Sequence, residues 1–311
     1  MKGYGPADVT EFPRFSGIRT FMRLPYRRDV SDVDFVIIGV PFDTGSTFRI
    51  GSRFGPEAIR SASSLLRPFN PGLGVPIFDI LSGVDYGDFS VVPGYLPETQ
   101  QKITEQLLPI LEAGVTPILL GGDHSVTLPE LRAVARKFGP VALIQFDAHG
   151  DVWPDDNDSN ATPFWRAAEE GLLDLRRSSQ IGLRGPVYDA NDLQRSLDLG
   201  FQVFTASEVR QRGMESVLRT VKERAGSGPC FVTFDIDFAD PAYAPAAGTP
   251  EIGGFTSWEC QYLVRGLQGV DFVAFDLVEV APPYDNPGAT TALLAANIVY
   301  EFISLLAVDK R

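Results

Sequence analysis

Histidine and cysteine are both scarce: the 311-residue chain has two of each. Cys230 and Cys260 do not make a disulfide framework. Cys230 opens an apolar run, where it reads as a small core residue. A basic excess is missing too. The net charge of −13 argues against nucleic acid and against anionic membrane surfaces, and is compatible with a cationic substrate. No basic segment leading into a long apolar one opens the chain, so no signal peptide is expected. No uncharged stretch reaches the length of a membrane span. These absences lead to the expectation of a soluble, cytoplasmic protein. The hydrophobic content of 44% is ample for a core, in one large domain or two small ones.

Residues 1–33 are mixed in character and read as an irregular lead-in. Strand-like runs follow at 35–40, 117–121, 141–147, 180–184, 201–204, 230–235 and 272–278, with a short strand near a sheet edge at 83–88. Helical spacing or helix-start signals place helices at 56–66, 97–113, 128–137, 164–173, 191–197, 214–224, 258–267 and 290–306. Residues 68–76 read as a loop. Apolar strands alternating with helices mean a mostly parallel sheet covered on both faces. No linker or internal repeat interrupts the pattern. The expectation is one three-layer α/β domain over residues 1–311, with about eight strands.

Three short segments at the ends of strand-like runs carry the chemistry. Asp147-Ala148-His149-Gly150-Asp151 follows one run, and alternation would point its two aspartates and histidine the same way. Gly121-Gly122-Asp123-His124-Ser125 holds the other histidine of the chain. Phe234-Asp235-Ile236-Asp237 adds two aspartates at alternate positions. Nitrogen and oxygen donors of this kind suit a divalent cation. Together they make a set for two cations sharing carboxylates, an arrangement that can activate a hydroxide.

These segments resemble the signatures of the ureohydrolases: arginase, agmatinase, guanidinobutyrase and proclavaminate amidinohydrolase. The resemblance extends to Arg53-Phe54-Gly55-Pro56, Gly248-Thr249-Pro250-Glu251 and Val278-Glu279-Val280-Ala281-Pro282, and is strongest on the agmatinase side. It implies an arginase-like fold and two divalent ions, manganese or nickel. One would be held by His124, Asp147, Asp151 and Asp235, the other by Asp147, His149, Asp235 and Asp237. It implies hydroxide attack on the carbon of a small guanidine compound, releasing urea and an amine. It also implies a homotrimer or homohexamer. Glu279 is either a surface residue at a strand end or the carboxylate that grips the guanidinium. Asp276 is either satisfied by neighbours or faces the site, and Thr249 either bonds near Glu279 or shapes its turn. Asp123 and Ser125 read as supports of His124, and Asp240 as a turn carboxylate.

The chain departs from the family at several positions. Asn160 stands where relatives carry a proton-shuttling histidine, and asparagine cannot carry a proton near neutral pH. Asp151 is the carboxylate left to pass a proton to the leaving amine. The alternative for Asn160 is a loop-capping residue that never visits the site. Ala246-Ala247 replaces a usual Gly-Thr, and Asn286 stands where relatives often have histidine. Trp153 and Trp165 are expected to crowd the mouth of the site, which suggests a smaller or less polar substrate, and Trp153 is expected to bind it. The loss of the shuttle keeps two other readings open: a hydrolase of an atypical guanidine or biguanide, and a non-catalytic subunit of a hetero-oligomer.

Overall fold

The computed structural model describes residues 3–311. Its main sheet has eight strands: β1 (Phe35–Gly39), β2 (Gly83–Asp88), β3 (Thr116–Leu120), β4 (Ala142–Phe146), β5 (Ser179–Leu183), β6 (Gln202–Thr205), β7 (Cys230–Asp235) and β8 (Phe272–Val278). Their order across the sheet is β2-β1-β3-β8-β7-β4-β5-β6, and every pairing is parallel. Side chains alternate between two core clusters. Phe35 and Ile37 join one, Val36 and Ile38 the other; in β7, Val232 and Phe234 join the first and Phe231 the second. Burial on both faces is why these strands are continuous apolar runs in the sequence. At the edge, β2 passes from buried Gly83 to exposed Asp88.

The elements depart from the sequence expectation where local turn chemistry intervenes. The helix expected over 164–173 is Pro163–Glu169. Gly171 just beyond it has φ 66°, a left-handed conformation that ends a helix. The expected loop at 68–76 contains a two-strand ladder, Phe69–Asn70 with Val75–Pro76. A further helix, Ala206–Arg212, begins at a capping box: the Glu208 amide donates to Thr205 Oγ1, and the Thr205 amide donates to Glu208 Oε2 at 2.8 Å.

The closing helix, Thr290–Asp309, is long and apolar enough by length and composition to cross a membrane, but 78% of its apolar window is buried inside the fold. Glu301 interrupts it and pairs with Arg265 at 2.6 Å.

Strands β3, β8, β7 and β4 are neighbours at the centre of the sheet. β3 and β4 are consecutive in the chain yet separated by β8 and β7, so the strand order switches between them. A switch point of this kind leaves a crevice at the carboxyl ends of the strands. All three chemistry-bearing segments and Glu279 emerge there.

Candidate metal centre and active site

After β3 the chain turns through Gly121 and Gly122 into His124. Only glycine fits at 122, since a Cβ there would lie 1.6 Å from the Phe42 carbonyl oxygen. The His124 ring is buried, with Nε2 2.9 Å from Thr233 Oγ1 on β7. Nδ1 therefore faces Asp151 Oδ2 at 2.8 Å, Asp147 Oδ2 at 3.2 Å and Asp235 Oδ2 at 3.3 Å. The other Asp147 oxygen lies 3.5 Å from His149 Nδ1, and Asp237 Oδ2 lies 3.0 Å from that nitrogen. The ligand atoms form two groups, His124-Asp147-Asp235 and Asp147-His149-Asp237, each within 4.8 Å. Asp147 belongs to both, while Asp235 is grouped with His124.

Strand alternation brings Asp147 and His149 together only in part. β4 ends at Phe146, and Asp151 returns to the cluster through a left-handed backbone with φ 51°, a region aspartate tolerates better than most residues. Backbone amides fix the carboxylates. The His149 amide donates to Asp147 Oδ1 at 2.7 Å, the Asp237 amide to Asp235 Oδ1 at 2.8 Å, and the Ala148 amide to Asp237 Oδ1 at 3.1 Å.

Sequence reasoning missed three supporting residues. Gln145 Nε2 donates to Asp147 Oδ2 at 2.7 Å, and Gln180 Nε2 donates to Gln145 Oε1 at 2.6 Å. Thr233 orients His124. Each is a polar residue inside an apolar strand run, and a buried polar side chain needs a partner; that mismatch was the available signal.

Charge in this cluster is poorly balanced. Burial, and next the Asp147 charge, push the Asp151 carboxyl up to about 6. Burial followed by Asp237 and Asp147 raises Asp235 well above its usual range. Burial would lower the His124 imidazole, but contacts with Asp147, Asp151 and Asp235 raise it well above its ordinary value. Asp147 is lowered, because both histidines outweigh its burial. Close as these contacts are, His124 Nδ1 and Asp237 Oδ2 make no well-aligned hydrogen bond among the described residues. Unpaired acceptors converging in a buried acidic cluster fit divalent cations.

Glu279 follows β8, with φ 66°, and its amide donates to the Gly122 carbonyl at 2.8 Å. It is buried, so the surface reading is excluded. Its Oε1 accepts from the His124 amide at 2.9 Å and from Asn160 Nδ2 at 3.0 Å. Oε2 has no partner. Burial, followed by the Asp123 charge, pushes this carboxyl up to about 8. Asn160 is buried and its amide donates to the Gly45 carbonyl at 2.9 Å, so its loop does enter the site.

These groups line a cavity of about 750 Å³ that also takes in Thr249, Trp153, Tyr188 and Arg195. Trp153 lies 5.3 Å from Tyr188 between ring centres, and the Arg195 guanidinium lies 4.9 Å over the Trp153 ring.

Other expectations divide. Trp165 does not reach the mouth; its helix turns it against the core cluster around Phe164 and Leu131. Asn286 is exposed and lies in the turn before the closing helix, where its Oδ1 accepts from the Gly288 amide at 2.9 Å. Asp276 faces away from the cavity: its Oδ2 accepts from Thr127 Oγ1 at 2.6 Å, behind His124. Asp123 accepts from the Ser125 amide at 3.0 Å, capping the turn that carries His124, and Asp240 accepts from the Gly253 amide at 2.8 Å.

Comparison with known proteins gives a consistent result. The model of the arginase family matches residues 33–304. A guanidinobutyrase of Pseudomonas aeruginosa is 44% identical, across 97% of this chain and 96% of that protein. A mitochondrial agmatinase of Gallus gallus is 42% identical, across 97% of this chain and 89% of that protein. The structure of proclavaminate amidinohydrolase from Streptomyces clavuligerus superposes with a TM-score of 0.91 at 37% identity, covering 96% of this chain and 99% of that one.

Proposed function

The chain belongs to the arginase family and is a hydrolase of C–N bonds, and from that premise we propose that it is a dinuclear amidinohydrolase of a small guanidine compound. Water adds to the central carbon, the bond to the substituted nitrogen breaks, and urea and an amine are released. The observation that carries this reading is one cavity lined by His149, Asp151, Asp235 and Glu279, with His124, Asp147 and Asp237 clustered against the same ligand atoms.

His124, Asp147, Asp151 and Asp235 would hold one ion, and His149 and Asp237 the other together with Asp147 and Asp235. When bound, two divalent cations, manganese or nickel, supply the positive charge that makes water nucleophilic at neutral pH. Glu279 binds the guanidinium through charge-assisted hydrogen bonds. Thr249 and Trp153 bound the substrate from the sides of the cavity. Asp151 lies on the cavity wall and is the carboxylate positioned to pass a proton to the departing nitrogen. The homo-oligomer implied by the family resemblance, and the cytoplasmic location expected from the sequence, belong to the same proposal.

Urea release across a panel of guanidine compounds, together with elemental analysis of the same sample, tests it. The expected result is about two metal ions per chain and urea from at least one compound. A preparation that takes up no metal after reconstitution and releases no urea would refute the proposal.

A further inference from the structure

Asn160 and Glu279 are joined by a hydrogen bond whose direction chemistry fixes. Glu279 Oε1 already accepts from the His124 backbone N–H, so the nitrogen of the Asn160 side-chain amide faces it as a second donor; the two atoms lie 3.0 Å apart. The amide oxygen is thereby turned away from Glu279. Asn160 Oδ1 and Glu279 Oε2 are both buried, and neither has a hydrogen-bond partner among the described residues. Both residues line the cavity.

A buried acceptor without a donor is unfavourable, so two of them on one cavity wall ask for a ligand with two donors. The surroundings keep the pair open and in place. Gly248 borders Glu279, where a Cβ would come 2.5 Å from Oε2. The Asn160 backbone N–H donates to the Gly45 carbonyl at 2.9 Å, and the Ser159 backbone N–H donates to Thr162 Oγ1 at 2.9 Å, so the loop is tied on both sides of the side chain.

We propose that Asn160 is a substrate-binding residue: its Oδ1 accepts an N–H of one guanidinium nitrogen while Glu279 Oε2 accepts from another. This rests on the guanidine reading above and assigns a role to the residue that replaces the expected histidine. A guanidinium is planar and carries outward N–H donors, so two acceptors held at fixed spacing can engage two of its nitrogens at once. The Asn160 Nδ2 contact also keeps the Glu279 carboxylate in register for this grip. Asparagine contributes here by binding, because it has no proton to exchange near neutral pH.

The test is calorimetric titration of metal-loaded protein with guanidinium chloride, with KM and kcat measured on whichever panel compound is hydrolysed. Asn160→Leu fills a similar volume without an acceptor, and Asn160→Ala removes the side chain. Both should weaken guanidinium binding by about 10- to 100-fold, the range for a hydrogen bond to a charged group. KM should rise by a similar factor, with the metal content and the melting temperature near wild type. Guanidinium binding within twofold of wild type in a folded Asn160→Leu variant overturns the proposal. So does a lowered melting temperature with KM unchanged, the signature of a loop cap alone. A wild-type protein that neither binds nor hydrolyses any guanidine overturns the functional reading itself.

Discussion

His124 Nε2 lies 2.9 Å from Thr233 Oγ1, and this contact decides which ring nitrogen faces the carboxylates. With Nε2 held on β7, Nδ1 meets Asp151 Oδ2 at 2.8 Å. Asp276 lies behind the pair and accepts from Thr127.

Thr233→Val keeps the shape of the side chain and removes the hydroxyl. The ring then loses its orienting partner, and metal affinity should fall by about 10- to 100-fold, the usual effect of removing a hydrogen bond behind a ligand. Titration against a chelator of known affinity measures it. An affinity equal to wild type would mean that Thr233 merely occupies space.

The metal-free protein should become less stable as pH rises. Burial lifts Asp151 from 3.8 to about 6 and Glu279 from 4.5 to about 8. An acid raised on folding binds more protons in the folded state between its two values, so its contribution is lost as pH climbs through the folded value. His124 and His149 are raised well above 6.5; burial opposes the shift and the neighbouring aspartates outweigh it. Their contribution is complete below 6.5 and is lost as pH rises through the folded values, which is the same direction. Asp147 is lowered, so its contribution is lost only in more acidic solution. The melting temperature without metal should therefore fall between about pH 5 and 8. With metal it should rise over the same interval, since metal binds the deprotonated ligands. Calorimetric scans at several pH values, with and without chelator, decide the matter; a metal-free melting temperature that rises with pH would contradict the charge imbalance.

The fold was largely legible in the sequence because burial on both sheet faces leaves long apolar runs, as in β4, β7 and β8. The clustering of the two histidines with four aspartates was legible because all six stand at the ends of such runs. The contacts that aim them were not. Gln145 and Thr233 act through partners on neighbouring strands, and no local pattern states that β4 lies beside β7. Trp165 was misread because the face a short helix turns to the core depends on where that helix docks. The Ala206–Arg212 helix was missed although its Thr205–Glu208 capping box stood in the sequence.

Gly248 leaves the room that Glu279 Oε2 needs. A Cβ there would lie 2.5 Å from that oxygen, and Oε1 is pinned by the His124 amide and Asn160. Gly248→Ala should displace the carboxylate and weaken guanidine binding by about tenfold or more. Its backbone has no left-handed φ, so the fold should tolerate alanine and the melting temperature should change little. Binding and melting measured on the same preparation separate the effects. Unimpaired binding would show that Glu279 can move aside.

Asn160→His tests what the missing imidazole does. Both histidines of the chain already belong to the ligand cluster, so none is free to shuttle protons. The pH–rate profile of the wild-type enzyme should therefore lack a limb from an imidazole near 6.5. In the variant the ring would stand beside Glu279, at the cavity wall where Asn160 now sits. A neutral imidazole offers one donor and one acceptor, so it can replace the amide toward Glu279 and the substrate together. The variant should keep its guanidinium affinity, unlike Asn160→Leu, and gain both turnover and a new limb in the profile. General acid–base help is worth about 10²–10⁴-fold where proton transfer is limiting, and that range bounds the gain. Comparing the two profiles isolates the added group from the metal-linked titrations they share. An identical profile and an unchanged rate in a folded, substrate-binding variant would mean that proton transfer at this position does not limit the reaction.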